Sequence, residues 1–251
     1  MGVCCSLVED EIVLEIDHIV LHADSAKDLK SFKAKLDEAG IPFEPTWGKK
    51  AKGFQISNIW FGKQYLEVVN ITEAENLWQP QWAKRHAVGE RGAYCIFFKL
   101  TTPISVLNQT LQNSGIIVTQ PERTEFKWFA GLLTKKLPWQ FCLTSKIPGT
   151  NIEVGFIEYD DGAEQKFAPY MVPNSTDIGL TGLTKPTVYS NEANEARHWL
   201  EKLQANIGCT VNLSIEERIN QVALQLIVTT SNEYNFSGVE LSDISLNPAG
   251  N

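Results

Sequence analysis

Ile12-Val13-Leu14-Glu15-Ile16-Asp17-His18-Ile19-Val20-Leu21, then Ser25, then the stretch from Ala26 to Ala39 closed by Gly40, is the part of the sequence whose reading decides the fold. The run to Leu21 carries Leu14, Ile16, Ile19, Val20 and Leu21, the composition of a buried strand. Ser25 stands at a helix N-cap position, Leu29, Phe32, Leu36 and Ala39 fall on one helical face, and Gly40 is a C′ stop. Three strand-like pieces follow, around Phe43, from Phe54 to Phe61 and from Tyr65 to Ile71. The turn Gly62-Lys63-Gln64 joins the last two as a hairpin. This unit reads strand, helix, strand, strand, strand.

The same order returns twice, and internal repetition of this kind is the leading clue to architecture. Ala93 to Leu100 is a strand, and Thr102-Pro103 starts a helix with proline at its first position. Leu107 and Leu111 mark that helix's inner face, and Gly115 ends it. Ile116 to Val118, Trp139 to Leu143 and Asn151 to Tyr159 supply strands, while Pro121 to Lys136 reads either as a long hairpin or as a loop over a pocket. A third unit begins near Ile178, with a strand-like Leu180 to Tyr189 and Asn191 capping a helix whose apolar face is Ala193, Ala196, Trp199, Leu200 and Leu203. Val211 to Leu213, Val222 to Val228 and Val239 to Leu241 are its remaining strands. Polar stretches, Glu73 to Arg91 and Asp160 to Asp177, link the units. The class is α+β, with residues 10–162 forming a pair of βαβββ modules and 175–248 a third module. The last strand of each unit carries an acid among apolar residues, Glu67, Glu153 and Glu240, and alternation points each acid away from its aliphatic neighbours.

Composition narrows the function. The chain has 251 residues and a formal net charge of −8, so nucleic acid is excluded as the default partner. No apolar run reaches the roughly 20 residues that cross a bilayer. Cys4, Cys5, Cys95, Cys142 and Cys209 show no C-x-x-C spacing, which suits free thiols in a reducing, cytoplasmic setting. Met1-Gly2-Val3-Cys4-Cys5-Ser6 fits a myristoylation pattern with two adjacent thiols for palmitate, and such dual acylation is what would bring the protein to a membrane. The alternative is a chance match at a frayed terminus. No P-loop, dinucleotide fingerprint, G-x-S-x-G or H-E-x-x-H occurs.

Asp17-His18-Ile19-Val20-Leu21, the capped helix ending at Gly40, and Gly62-x-x-Tyr65-Leu66-Glu67 together resemble the vicinal oxygen chelate superfamily, in its glyoxalase-like branch. The resemblance covers residues 12 to about 160 and reaches the third unit through element order. It implies the glyoxalase/bleomycin resistance/dioxygenase fold, in which paired βαβββ modules form half-barrels around a cavity. It also implies one divalent metal ion (Zn, Fe, Mn, Ni or Mg) held by His and Glu side chains on the first and last strands of each module. Such an ion acts as a Lewis acid toward a developing enolate or oxyanion.

Carried over, His18 and Glu67 match the first module's ligands and Glu153 the second module's acid. Cys95 stands seven residues before Thr102, as His18 stands seven before Ser25, which puts a thiol where the second histidine belongs. A slip of one residue brings Tyr94 there instead. Thr184 and Glu240 are the counterparts in the third unit. His22, four residues beyond His18 on the same strand face, is a candidate proton carrier beside Glu67. Trp47-Gly48-Lys49-Lys50 offers lysines where the branch often has a further histidine, and Lys49, Lys50 and Lys52 are placed to meet an anion. Trp60, Phe97, Phe98, Trp128, Phe129, Trp139 and Phe141 are the candidates for lining a pocket. The expectation is a small-molecule cavity. It serves a binding protein, a metal-dependent lyase, isomerase or dioxygenase, or an interaction module with a vestigial cavity. Modules of this kind work in pairs, so the third packs against the first two or meets its copy in a homodimer.

Overall fold

The computed structural model describes residues 13–23, 26–44, 54–72, 80–128, 133–183, 186–218, 224–225 and 228–230. Gly2, Cys4, Cys5, Ser25, Lys49, Lys50, Lys52, Phe129, Thr184 and Glu240 lie outside them.

The first unit contributes β1 (Val13–Leu14), β2 (Ile16–Ala23), α1 (Ala26–Glu38), β3 (Phe54–Phe61) and β4 (Gln64–Ile71). Phe43 is buried as its hydrophobicity demands, yet it lies in irregular chain outside any strand. α2 (Pro80–Ala87) follows, in a stretch that the sequence presents as a polar linker. Its proline opens the helix, and Lys84, Arg85 and His86 sit in its last turn, where the helix dipole favours cations. The second unit holds β5 (Gly92–Lys99), α3 (Ile104–Asn113), β6 (Glu125–Trp128), β7 (Leu133–Lys136), β8 (Trp139–Lys146) and β9 (Glu153–Tyr159). β6 and β7 pair antiparallel, as the hairpin reading of Pro121 to Lys136 expects, and Thr124 and Leu137 beside them line a cavity. α3 begins one residue later than proline at the first helical position implies. Pro103 stands at the N-cap, and the Glu158 carboxylate accepts from the Ile104 N–H at 3.0 Å in place of a capping hydroxyl.

Six strands make one sheet in the order β3-β4-β2-β5-β9-β8. β2 pairs parallel with β4 and β5 parallel with β9, while β2 meets β5 antiparallel. The two halves therefore mirror each other across the β2–β5 seam. One sheet face packs Ile19, Leu66, Ile96 and Phe156 against α1 and α3 through Phe32, Leu36, Leu107 and Leu111. Each fully buried side chain of this size is worth about 1.5–3 kcal/mol. The opposite face carries Val20, Val69, Tyr94, Cys95, Phe97, Phe141 and Leu143, and α2 lays Trp82 and Ala83 on it.

Beyond β9 come α4 (Ala163–Phe167), β10 (Leu180–Leu183), β11 (Thr187–Ser190), α5 (Ala193–Ile207), β12 (Thr210–Val211), β13 (Ser214–Glu217), β14 (Leu224–Gln225) and β15 (Val228–Thr230). The single strand expected over Leu180 to Tyr189 is two strands in different sheets. α5 starts after Glu192, with no side-chain cap, while its face Ala193, Ala196, Leu200 and Leu203 is buried as its period demands. This part is fastened to the first unit. β12 pairs parallel with β1, and the Asn174 amide clasps the Gly62 backbone, accepting from its N–H at 3.0 Å and donating to its C=O at 2.9 Å.

Candidate functional site

β2 supplies the centre of the site. His18 lies opposite Tyr65 on β4 and Phe97 on β5, and its ring is stacked between theirs, at 4.6 Å and 4.3 Å between centroids. A register shift between Ile16 and His18 breaks the alternation of the strand, so that Asp17 and His18 both reach the same cavity. Asp17 Oδ2 lies 2.6 Å from His18 Nδ1 and accepts a second bond from the Tyr159 hydroxyl at 2.9 Å. In the neutral ring, a proton on Nδ1 directed at Asp17 leaves Nε2 an acceptor. Burial first pushes the Tyr65 and Tyr159 hydroxyls well above their ordinary range, helped by Tyr159 and then Asp17 for Tyr65 and by Asp17 for Tyr159.

Phe97 owes its place to Gly155 on β9. A Cβ there would stand 2.4 Å from the Phe97 ring, so only glycine lets the ring lie flat against the strand and back His18. Glu67, two residues beyond Tyr65, also lines the cavity. Burial raises its carboxyl above the usual range, the nearby His18 lowers it in part and Asp17 adds to the rise. Asn58, its cross-strand partner on β3, has a buried Oδ1 that no donor among the described residues meets.

The cavity over these residues has a volume of about 850 Å³. Of the expected aromatic lining, Trp60, Phe97, Trp139 and Phe141 are in its wall, joined by Tyr65, Tyr159 and Phe167. Phe98 faces the opposite core. The segment from Glu164 to Val172 covers one side, with Glu164 bonded to Lys99 and Lys63 at the rim.

The second module's positions have a different fate. Cys95 lies fully buried between Val20 and Glu153, and desolvation pushes its thiol well up, so it keeps its proton. Glu153 receives the Trp82 indole N–H at 3.4 Å and lies 3.2 Å from Arg85 Nη1. Arg85 is itself locked by Glu90 at 2.6 Å, by the Asn151 carbonyl and by the Tyr94 ring 3.9 Å from its Cζ. Burial raises the Glu153 carboxyl, and Arg85 offsets this in part. Glu90 stays below its ordinary value despite burial, because Lys146 and Arg85 both bond it. His22 is packed behind Trp82, stacked 3.5 Å from Tyr94, with neither ring nitrogen bonded. Burial first, then Arg85, His86 and Arg91, drives its pKa well below 6.5.

His18 and Glu67 thus share the cavity, while Cys95 and Glu153 belong to the packed layer under α2. Among the described residues no three His, Cys, Asp or Glu side chains are gathered to hold a metal ion. The set of His18, Glu67, Glu153 and Cys95 does not fit a divalent ion as it stands. A guanidinium already neutralises Glu153, and the thiol that would have to lose its proton is the one that burial keeps protonated. Sequence reading missed Asp17, Asn58, Tyr159 and Arg85 as site residues. Tyr159 had a signal, since it shares the strand face of Glu153. Arg85 had none, because its buried partners come from three other segments.

A family model described as a glyoxalase-like domain matches residues 16–204. No curated protein matches the sequence. Among solved structures, a hypothetical protein from Staphylococcus aureus is 16% identical with a TM-score of 0.52, over 87% of this chain and 82% of that one. A hypothetical protein from Bacillus halodurans is 15% identical with a TM-score of 0.42, over 60% of this chain and 97% of that one. A Streptomyces coelicolor methylmalonyl-CoA epimerase in complex with 2-nitronate-propionyl-CoA is 12% identical with a TM-score of 0.40, over 59% and 95%. The family match spans most of the chain and both halves of the six-stranded sheet, and the Staphylococcus aureus structure shares the fold: the chain belongs to the glyoxalase-like domain family of the vicinal oxygen chelate superfamily.

Proposed function

We propose that the protein binds a small organic molecule in the cavity over β2 and β4, with the ligand's polar group directed at His18 and Glu67. The observation that carries this reading is the pairing of an aromatic wall with a few convergent polar groups at one end of an 850 Å³ cavity. A screen of small aromatic compounds by thermal unfolding tests it. Ligands raise the unfolding temperature of the native chain, and Ile56→Trp, which narrows the cavity from β3, reduces the rise while the variant stays folded. A set of stabilising compounds indifferent to Ile56→Trp would remove the cavity as the binding site.

A second reading, proton transfer on a bound carbonyl compound, is favoured by the Asp17–His18 pair, because a carboxylate on Nδ1 orients the ring and supports it as a base. Glu67, whose carboxyl burial raises above its usual range, faces the same cavity as a second group able to exchange a proton. Solvent deuterium entering the α-position of a bound ketone, at a rate cut at least about 100-fold by His18→Gln, supports catalysis. Binding without exchange leaves a binding protein.

A further inference from the structure

The geometry points to an organic ammonium ion on an aromatic or apolar body as the class of molecule this cavity takes, an inference that rests on the small-molecule reading above. It comes from asking what each acid in the cavity wall already has as a partner. Asp17 accepts from His18 and Tyr159. Glu164, at the rim, is bonded to Lys99 and Lys63. Glu67 faces the same space, and no hydrogen-bond donor among the described residues meets its carboxylate. Its strand neighbour Asn58 adds a second acceptor, Oδ1, buried and unmet. When its ring is neutral and donates from Nδ1 to Asp17, His18 presents a third.

This part of the cavity therefore holds acceptors that no donor among the described residues meets. A ligand completes it by bringing N–H groups, and a positive charge completes it best, because a carboxylate removed from water without a counter-charge is costly. The walls agree. Trp60 and Trp139 line the same space, and a cation held against an aromatic ring face gains further. An anionic head would stand against Glu67 and Asp17. Lys63, the lysine of the described wall, is occupied with Glu164 and largely in solvent, so it does not reverse this polarity.

The test uses three probes of one shape on the full chain, followed by calorimetry at pH 7: tryptamine, tryptophol and indole-3-propionate. Tryptamine binds about tenfold or more tighter than tryptophol, and indole-3-propionate binds weakest, as expected for one charge-assisted contact. In Glu67→Gln, which keeps the shape and removes the charge, tryptophol still binds and the tryptamine preference falls to within about twofold. Equal affinities, a preference for the propionate, or a tryptamine preference that survives Glu67→Gln overturns the ligand class and leaves the cavity reading standing. Zinc ion bound stoichiometrically by the wild-type chain and excluding tryptamine overturns it too. Binding of none of the three probes overturns both readings together.

Discussion

His22 and His18 stand on one strand face, yet their rings live under opposite constraints. His18 has a carboxylate on one nitrogen and two rings around it, whereas His22 has rings around it and, among the described residues, no partner for either nitrogen. A buried polar atom left unbonded costs about 1–3 kcal/mol. His22→Leu therefore stabilises the protein, by about 1–2 kcal/mol in urea unfolding at pH 7. The gain grows in acid. The folded ring has a pKa well below 6.5, so as pH falls through 6.5 the unfolded chain takes up a proton that the folded chain refuses. The wild type then loses up to about 1.4 kcal/mol per pH unit from this group until the folded pKa is reached. The variant does not, and equal acid sensitivity in the two proteins would refute the assignment. Glu67 has the opposite sign. Its folded pKa is raised, so its contribution is fully present below 4.5 and is lost as pH rises toward the folded value. Glu67→Gln removes that loss, and unfolding midpoints measured at pH 4 and pH 7 show the variant gaining on the wild type only at the higher pH.

At the scale of elements, α2 shows how one short helix divides a sheet face into a packed part and an open part. Arg85 is the reason it can do so with acids beneath it, since a single guanidinium meets Glu90, Glu153 and a backbone carbonyl. Arg85→Met keeps the bulk and leaves Glu153 without its cation, while Glu90 keeps Lys146. Breaking one side of a buried pair costs about 3–5 kcal/mol. A loss of that size is expected at pH 7, smaller at pH 5, with substantial recovery in the double variant Arg85→Met, Glu153→Gln. No recovery would mean that Arg85 acts through packing alone. The contrast with the strands explains what the sequence could tell. The hairpin of β3 and β4 is written locally, in Gly62 and in the run that ends at Ile71, and so is the face of α1. The acid on each last strand is legible from alternation, which places Glu67 and Glu153 on the inner face. What alternation cannot express is a register shift, and it is the shift before His18 that brings Asp17 into the site. Nor can it mark a helix such as α2, whose buried face is a tryptophan, an alanine and an arginine paired across space.

For the whole molecule, the decisive fact is that α5 shares one core with α1 and α3. Leu200 and Leu203 belong to the same buried cluster as Phe32, Leu36, Leu107 and Leu111, and α5 packs directly on α3. The Asn174–Gly62 clasp and the β1–β12 pairing tie the same part to the first unit from two other directions. Gly62 is held so closely that a Cβ on it would meet the Thr181 carbonyl oxygen at 2.8 Å, in a backbone conformation at φ +68° that already favours glycine. Elements joined by a continuous core lose their structure together, because neither side can leave without exposing the other's apolar face. Leu200→Ala, on the helix farthest along the sequence from His18, should therefore lower the stability of the cavity as well, by about 2–4 kcal/mol. In calorimetry the variant gives one transition, shifted as a whole, and amide exchange in β2 and β4 speeds up along with exchange in α5. Two transitions, with only the earlier one moved by the substitution, would show that the C-terminal part folds on its own and that the paired sheet halves owe it nothing.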